Sequence, residues 1–201
     1  MKKIIVFILA FILIVHAYGQ TSEEYKNSGL EKYKQQDLNG AISDFNKAIE
    51  LDAACFEAYL CRGHARYLLK DYKRSIADYS KAFELDPDFS EIYFYRGNAK
   101  NEQGKYSAAI EDYDKVIGKN PEHMEAYLNR GNAKSKDQDF PGAISDFTKV
   151  IEINPYYQEA YYNRGLLKIL TDQRESGCAD LKKASELGYS DANELINEYC
   201  K

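Results

Sequence analysis

From Ser22 to about Gly188 the apolar and small residues recur at spacings of three and four, interrupted at regular intervals by short polar turns. In a stretch such as YLNRGNAKSKDQDFPGAISDFTKVIEINP this pattern makes one helix, a turn and a second helix, because positions i, i+3 and i+4 share a helical face. Helices are predicted over residues 22–35, 38–51, 56–69, 72–85, 90–103, 106–119, 124–137, 140–153, 158–171 and 174–187. Asp139 is placed to cap the helix that follows it, with Pro141 in the first turn, where a missing N–H costs little. Residues 190–200 set Leu195 and Ile196 among Asp191, Asn193, Glu194 and Glu198, which predicts a closing amphipathic helix over the open end.

The hydrophobic pattern has a longer period. Gly29, Gly63, Gly97, Gly131 and Gly165 are 34 residues apart, and so are Tyr25, Tyr59, Tyr93, Tyr127 and Tyr161. Further columns keep the phase, among them Ala41, Ser75, Ala109 and Ala143, and Phe45, Tyr79, Tyr113, Phe147 and Leu181. Pro87, Pro121 and Pro155 close three of the units, with Ala53 in the first unit's place. Such self-similarity marks a repeat array. The glycine and alanine columns allow close helix approach, and the rings fill the space between hairpins. No hairpin buries its apolar face alone, so stability is a sum of neighbour contacts.

Period, small-residue columns and terminal prolines together resemble tetratricopeptide repeats, with units at 22–55, 56–89, 90–123, 124–157 and 158–188 and a capping helix at 189–201. Tyr replaces the family's usual Trp, and Gly stands in the turn between paired helices only at Gly104. Arg62, Arg96, Arg130 and Arg164 occupy a column that is more often Leu, and Gly177 stands where Ala is expected. The resemblance implies an all-α fold, a right-handed superhelical solenoid of five antiparallel helix pairs plus a C-terminal capping helix. The first helix of each pair would line a concave face.

The groove positions implied by the resemblance are Lys26, Asn27 and Leu30; Leu60, Cys61, His64 and Tyr67; Phe94, Tyr95, Asn98 and Asn101; Leu128, Asn129, Asn132 and Lys136; and Tyr162, Asn163 and Leu166. Asn presents both a donor and an acceptor to the amides of an extended peptide, and the rings offer apolar pockets. Family members that hold a C-terminal carboxylate use Lys, Asn and Arg in these columns. Here only Lys26 matches, with Leu30 in place of the first Asn, so the expected ligand is a neutral or basic extended segment.

Arg62, Arg96, Arg130 and Arg164 are matched in number by Asp44, Asp78, Asp112 and Asp146, with Asp180 left over. They read as structural ion pairs between each second helix and the next unit's first helix, since the first unit, with no preceding helix, has Ser28 in place of Arg. Glu23, Glu57, Glu91, Glu125 and Glu159 recur near the start of every first helix, where the helix dipole favours them.

Composition changes the picture at the leader and the cysteines. The 201 residues carry 27 basic and 32 acidic side chains, a charge that disfavours nucleic-acid binding. Lys2 and Lys3, the apolar run Ile4–Val15 and small residues before Gly19 predict a secretory signal peptide over residues 1–19. The run makes a helix of about 18 Å, short of the roughly 30 Å hydrocarbon core, so membrane contact is expected only transiently, through the signal peptide. No Cys follows the cleavage point, so this is not a lipoprotein signal. Cleavage leaves 25 basic against 32 acidic side chains, a charge of −7, on a chain exported to the periplasm or exterior of a bacterium. Disulfides persist there. Cys178 and Cys200 come level across the turn at Gly188-Tyr189 and are expected to bridge, contributing roughly 3 kcal/mol. Cys55 and Cys61 sit about 9 Å apart along one helix and read as apolar fillers.

Cys61 and His64 lie three residues apart, but no motif supplies an orienting acid or an oxyanion hole, and no phosphate loop, HExxH or CxxC is present. The expected protein is therefore no enzyme and needs no cofactor, metal or small-molecule substrate. It is an interaction scaffold for a protein or peptide ligand in the concave groove; the alternative is a structural subunit that assembles through helix faces or array ends.

Overall fold

The computed structural model describes residues 20–201, and these contain eleven helices and no strand. The leader expected at residues 1–19 lies outside the described residues. The chain divides into two compact units, Met1–Asp71 and Tyr72–Lys201.

The first unit holds α1 (Ser22–Lys34), α2 (Leu38–Leu51) and α3 (Phe56–Leu68). A capping box opens α1: Glu24 N–H donates to Thr21 Oγ1 at 3.2 Å, and Thr21 N–H donates to Glu24 Oε2 at 2.8 Å. Phe45 is fully buried between Ala41 and Ala48 on one side and Tyr25, Leu30 and Tyr33 on the other. A methyl group on Gly29 would fall 2.7 Å from the Phe45 ring, which is why this position carries no side chain.

The second unit holds α4 (Tyr72–Leu85), α5 (Glu91–Glu102), α6 (Tyr106–Lys119), α7 (Met124–Lys136), α8 (Phe140–Ile153), α9 (Gln158–Leu170), α10 (Arg174–Glu186) and α11 (Ala192–Tyr199). The same packing recurs, with Gly97 against Tyr113 and Gly131 against Phe147, each at 2.9 Å from an added methyl. The last hairpin differs, because Leu181 replaces the ring. The backbones of α9 and α10 close the gap, and a methyl group on Gly165 would lie 2.9 Å from the Gly177 carbonyl oxygen. That contact is the physical reason for glycine where the pattern has alanine. The predicted spans agree with the helices to within a residue, except for the closing helix. Residues 189–191 are consumed by a turn in which Tyr189 N–H reaches Ala184 O and Ala192 N–H reaches Tyr189 O, so α11 begins at Ala192.

The turns inside each hairpin explain the scarcity of glycine. Gln36, Lys70, Gly104, Gln138 and Asp172 all adopt a left-handed conformation, with φ from 60° to 79°. Beyond each, an amide reaches back across the turn: Asp37 N–H to Lys32 O, Asp71 to Arg66, Lys105 to Lys100, Asp139 to Lys134 and Gln173 to Lys168, at 2.8–2.9 Å. These bonds satisfy helix-end carbonyls and offset the roughly 1–2 kcal/mol that a side chain pays there. Between hairpins, Asp52, Asp86, Asn120 and Asn154 accept from the amide two residues on at 2.9–3.1 Å, with proline between the two in three cases.

The charged columns pair within hairpins, contrary to the expected pairing of each Asp with the next unit's Arg. Arg96 holds Asp112 through Nε at 2.9 Å and Nη2 at 2.7 Å; Arg130 holds Asp146 at 2.9 and 2.6 Å; Arg164 holds Asp180 at 2.8 and 2.7 Å. Asp180 is thus not left over. The two helices of a hairpin bring positions 16 apart face to face, which a count of columns does not reveal. In the first hairpin Asp44 accepts from Ser28 Oγ at 2.6 Å and pairs with Lys32 at 2.7 Å, while Arg62 donates to Asn46 Oδ1 at 2.6 Å. A lysine one helical turn on completes each later site, Lys100 on Asp112, Lys134 on Asp146 and Lys168 on Asp180. The remaining arginine nitrogen does cross to the preceding hairpin: Arg96 to Ser80 at 3.4 Å, Arg130 to Asp114 at 2.6 Å and Arg164 to Thr148 at 3.1 Å. The guanidinium groups of Arg62, Arg96, Arg130 and Arg164 lie over Tyr59, Tyr93, Tyr127 and Tyr161 at 5.3–5.6 Å, which gives the tyrosine column its role. Burial works against the charge of Arg130, but Asp146 and Asp114 outweigh it and raise its pKa.

Two stability predictions follow from this packing. Gly165→Ala lowers unfolding free energy by about 2 kcal/mol despite a helix-propensity gain, whereas Gly118→Ala, whose methyl meets nothing, raises it by about 0.5 to 1 kcal/mol. Asp146→Ala, which strands Arg130, costs about 3 to 5 kcal/mol in urea unfolding, and a second change, Arg130→Met, returns much of that loss.

Candidate functional site

Asn98 and Asn132 form one 34-residue column and Asn129 and Asn163 another, offset from it by three residues on the same helical face. Packing of successive first helices therefore brings members of the two columns together. Asn129 Nδ2 donates to Asn98 Oδ1 at 2.9 Å, and Asn163 Nδ2 donates to Asn132 Oδ1 at 3.4 Å. Asn98 Oδ1 also accepts from the Tyr113 hydroxyl at 2.8 Å, so a buried ring of α6 fixes the orientation of the first pair. These bonds leave the Asn129 and Asn163 carbonyl oxygens and the Asn132 amide group for a ligand.

Asn129, Asn132 and Asn163 line a hollow of about 340 Å³ on α5, α7 and α9, together with Asn101, Lys136 and Leu166. Asn101 Oδ1 is buried there with no hydrogen-bond partner, an arrangement that costs free energy until a donor reaches it. Glu102 and Lys136 bring opposite charges to the rim, and the Lys136 ammonium lies 5.6 Å over the Tyr106 ring. The hollow can therefore exchange several neutral hydrogen bonds with an extended chain without a strong charge preference. Glu102, Ser135, Phe147 and Leu167 also line it and were not among the expected groove residues. The signal for two of them was present, since Glu102 and Lys136 share a column and Asn101 and Ser135 share the one before it.

Other expected groove residues are engaged elsewhere. Phe94 packs on His123 at 4.9 Å and on Tyr113 at 6.2 Å, Tyr95 stacks with Tyr79 at 6.0 Å, and Tyr162 lies on Tyr189 at 4.8 Å. None of the three lines the hollow. Lys26, Leu60 and His64 belong to the first unit. Glu23 hydrogen-bonds Lys26 at 2.7 Å and raises its pKa.

Burial pushes the Cys61 thiol up to about 11 and His64 down to about 4. Both shifts oppose a thiolate–imidazolium pair, which requires the reverse order. Cys55 and Cys61 are unbridged, and Cys55 is buried, in keeping with a filler. Among the described residues no group of three His, Cys, Asp or Glu is placed to hold a metal ion, and no helix is long and apolar enough to cross a membrane. The expected bridge joins Cys178 to Cys200, with Cα atoms 5.6 Å apart.

Comparison with known proteins gives the repeat its family. The family profile described as TPR repeat matches residues 29–70, 63–101 and 97–138, and that described as tetratricopeptide repeat matches residues 125–157. A search of curated proteins returned no match. Among solved structures, YrrB, described as a TPR protein with an unusual peptide-binding site, is 21% identical over 94% of this chain and 98% of its own, with a TM-score of 0.80. A MamA crystal structure is 26% identical over 90% of this chain and 97% of its own at 0.79, and MamA from Desulfovibrio magneticus RS-1 is 20% identical over 87% and 98% at 0.80. The 34-residue period, the glycine and ring columns and the matched profiles converge, and the chain belongs to the tetratricopeptide repeat family.

Proposed function

We propose that this protein is an exported interaction scaffold that takes an extended, neutral or basic peptide segment into the asparagine-lined hollow of its second unit. The observation that carries the reading is the paired asparagines. Their amides are oriented by one another and by Tyr113, so unspent donors and acceptors stand ready for a peptide main chain. The mixed charge of the rim and the mismatch of Lys26 and Leu30 to a carboxylate clamp argue for main-chain recognition over capture of a charged terminus. The peptide-binding site in the printed description of YrrB supports the same class of ligand. The basic and apolar leader, followed by an acidic chain with a disulfide, supports export to the bacterial envelope or exterior.

Two measurements test this reading. On an array of short extended peptides, Asn132→Ala combined with Asn163→Ala weakens retention by about ten-fold, the equivalent of two lost hydrogen bonds, with an unchanged circular-dichroism melting curve; undiminished retention refutes groove binding. N-terminal sequencing of protein recovered outside the cytoplasm begins at Gln20, and an intact Met1 in the cytoplasmic fraction refutes export.

A further inference from the structure

The helix that closes the second unit is held in an unusual way. α11 has only eight residues and no side-chain cap at its N-terminus, so it has little stability of its own. Its apolar side chains, Leu195 and Ile196, and the adjoining Tyr189 pack with Tyr161, Tyr162 and Leu181. At its far end the chain is tied down by the Cys178–Cys200 bridge and by Arg174 Nε donating to Tyr199 O.

The bridge is not enclosed. A surface hollow of about 550 Å³ opens on Cys178 and Cys200, bordered by Arg174, Lys182, Lys201, Glu175, Ala179 and Tyr199. Cations outnumber the single carboxylate on this rim. The attacking species in thiol–disulfide exchange is an anionic thiolate, which such a rim draws in. Cys178 is 9% exposed and Cys200 more so, which makes the Cys200 sulfur the accessible target.

We infer that the Cys178–Cys200 bridge is a thiol–disulfide exchange site for dithiol or anionic thiol reductants, and that its reduction releases α11 from the end of the repeat array. In the first step a reductant thiolate bonds to Cys200 Sγ, the bridge breaks, and Cys178 leaves as a thiolate that takes a proton from solvent. The Tyr199 carbonyl oxygen, 3.7 Å from Cys178 Sγ, accepts a hydrogen bond from the new thiol. A second thiol of the reductant then attacks the mixed disulfide and frees Cys200. Two electrons and two protons pass to the protein, and the reductant becomes a disulfide. With the 22-residue loop no longer closed, α11 and Tyr189 lift away, and Tyr162 and the apolar ends of α9 and α10 are uncovered.

The test treats the folded protein with dithiothreitol, without denaturant, and reads cysteine alkylation and amide hydrogen exchange by mass spectrometry. The expected result is alkylation of Cys178 and Cys200 and an acceleration of exchange across residues 189–199 by about 100-fold, the factor equivalent to the lost loop constraint, with α5 to α8 unchanged. A bridge that yields only when the whole chain unfolds, or a reduced protein whose α11 keeps its protection, overturns the inference. The role of the rim is read separately: Lys182→Glu slows reduction by glutathione, which is anionic, and leaves the rate with neutral dithiothreitol unchanged. Equal rates for wild type and variant with glutathione remove the rim from the proposal.

Discussion

A buried carboxylate cannot stay ionised in a protein interior unless its charge and lone pairs are answered, and this chain answers the problem the same way in each later hairpin. One arginine fork and one lysine converge on an aspartate that is nearly inaccessible, and a tyrosine face supports the guanidinium. The arginine has one nitrogen to spare, and it spends it on the hairpin before. A single side chain thereby sets the spacing of two helices within a unit and the register of that unit against its neighbour. The first hairpin has no predecessor and uses Ser28 and Lys32 instead, the smaller solution that an end position allows.

The hollow inherits its order from that scaffold. Asparagine side chains on an exposed helix face rotate freely and offer donors and acceptors in no fixed sequence. Here the offset of 31 residues between bonded pairs is the repeat length less one helical step, so pairing arises wherever asparagine fills both columns. Tyr113 makes the link between core and surface, with its ring buried against Gly97 and its hydroxyl bound to Asn98. The repeat that supplies packing therefore also supplies a preorganised polar strip.

Helix positions, the capping of α8 by Asp139 and the Cys178–Cys200 bridge were all legible in the sequence, because each depends on local spacing or on a period visible along the chain. The partner of each arginine was not. Facing positions in a hairpin depend on turn geometry and helix roll, and both Asp112 and its counterpart one unit earlier lie in the right column for Arg96. Nor was the division of the groove legible: Phe94 and Tyr162 sit in columns that face the concave side, yet His123 and Tyr189, from connecting segments outside those columns, take them out of it. The turn residues with side chains at positive φ were visible as departures from glycine, but their compensation by back-reaching amides was not.

α11 begins at Ala192, 34 residues after the start of α9 at Gln158. What closes the array is therefore the opening turns of another unit, laid down in phase and stopped short. Growth by duplication needs no invention at such a boundary. A copied unit inserted ahead of Gln158 would find on either side the contacts it already makes, and the recognition strip would lengthen by one rung while the terminal clasp moved outward unchanged.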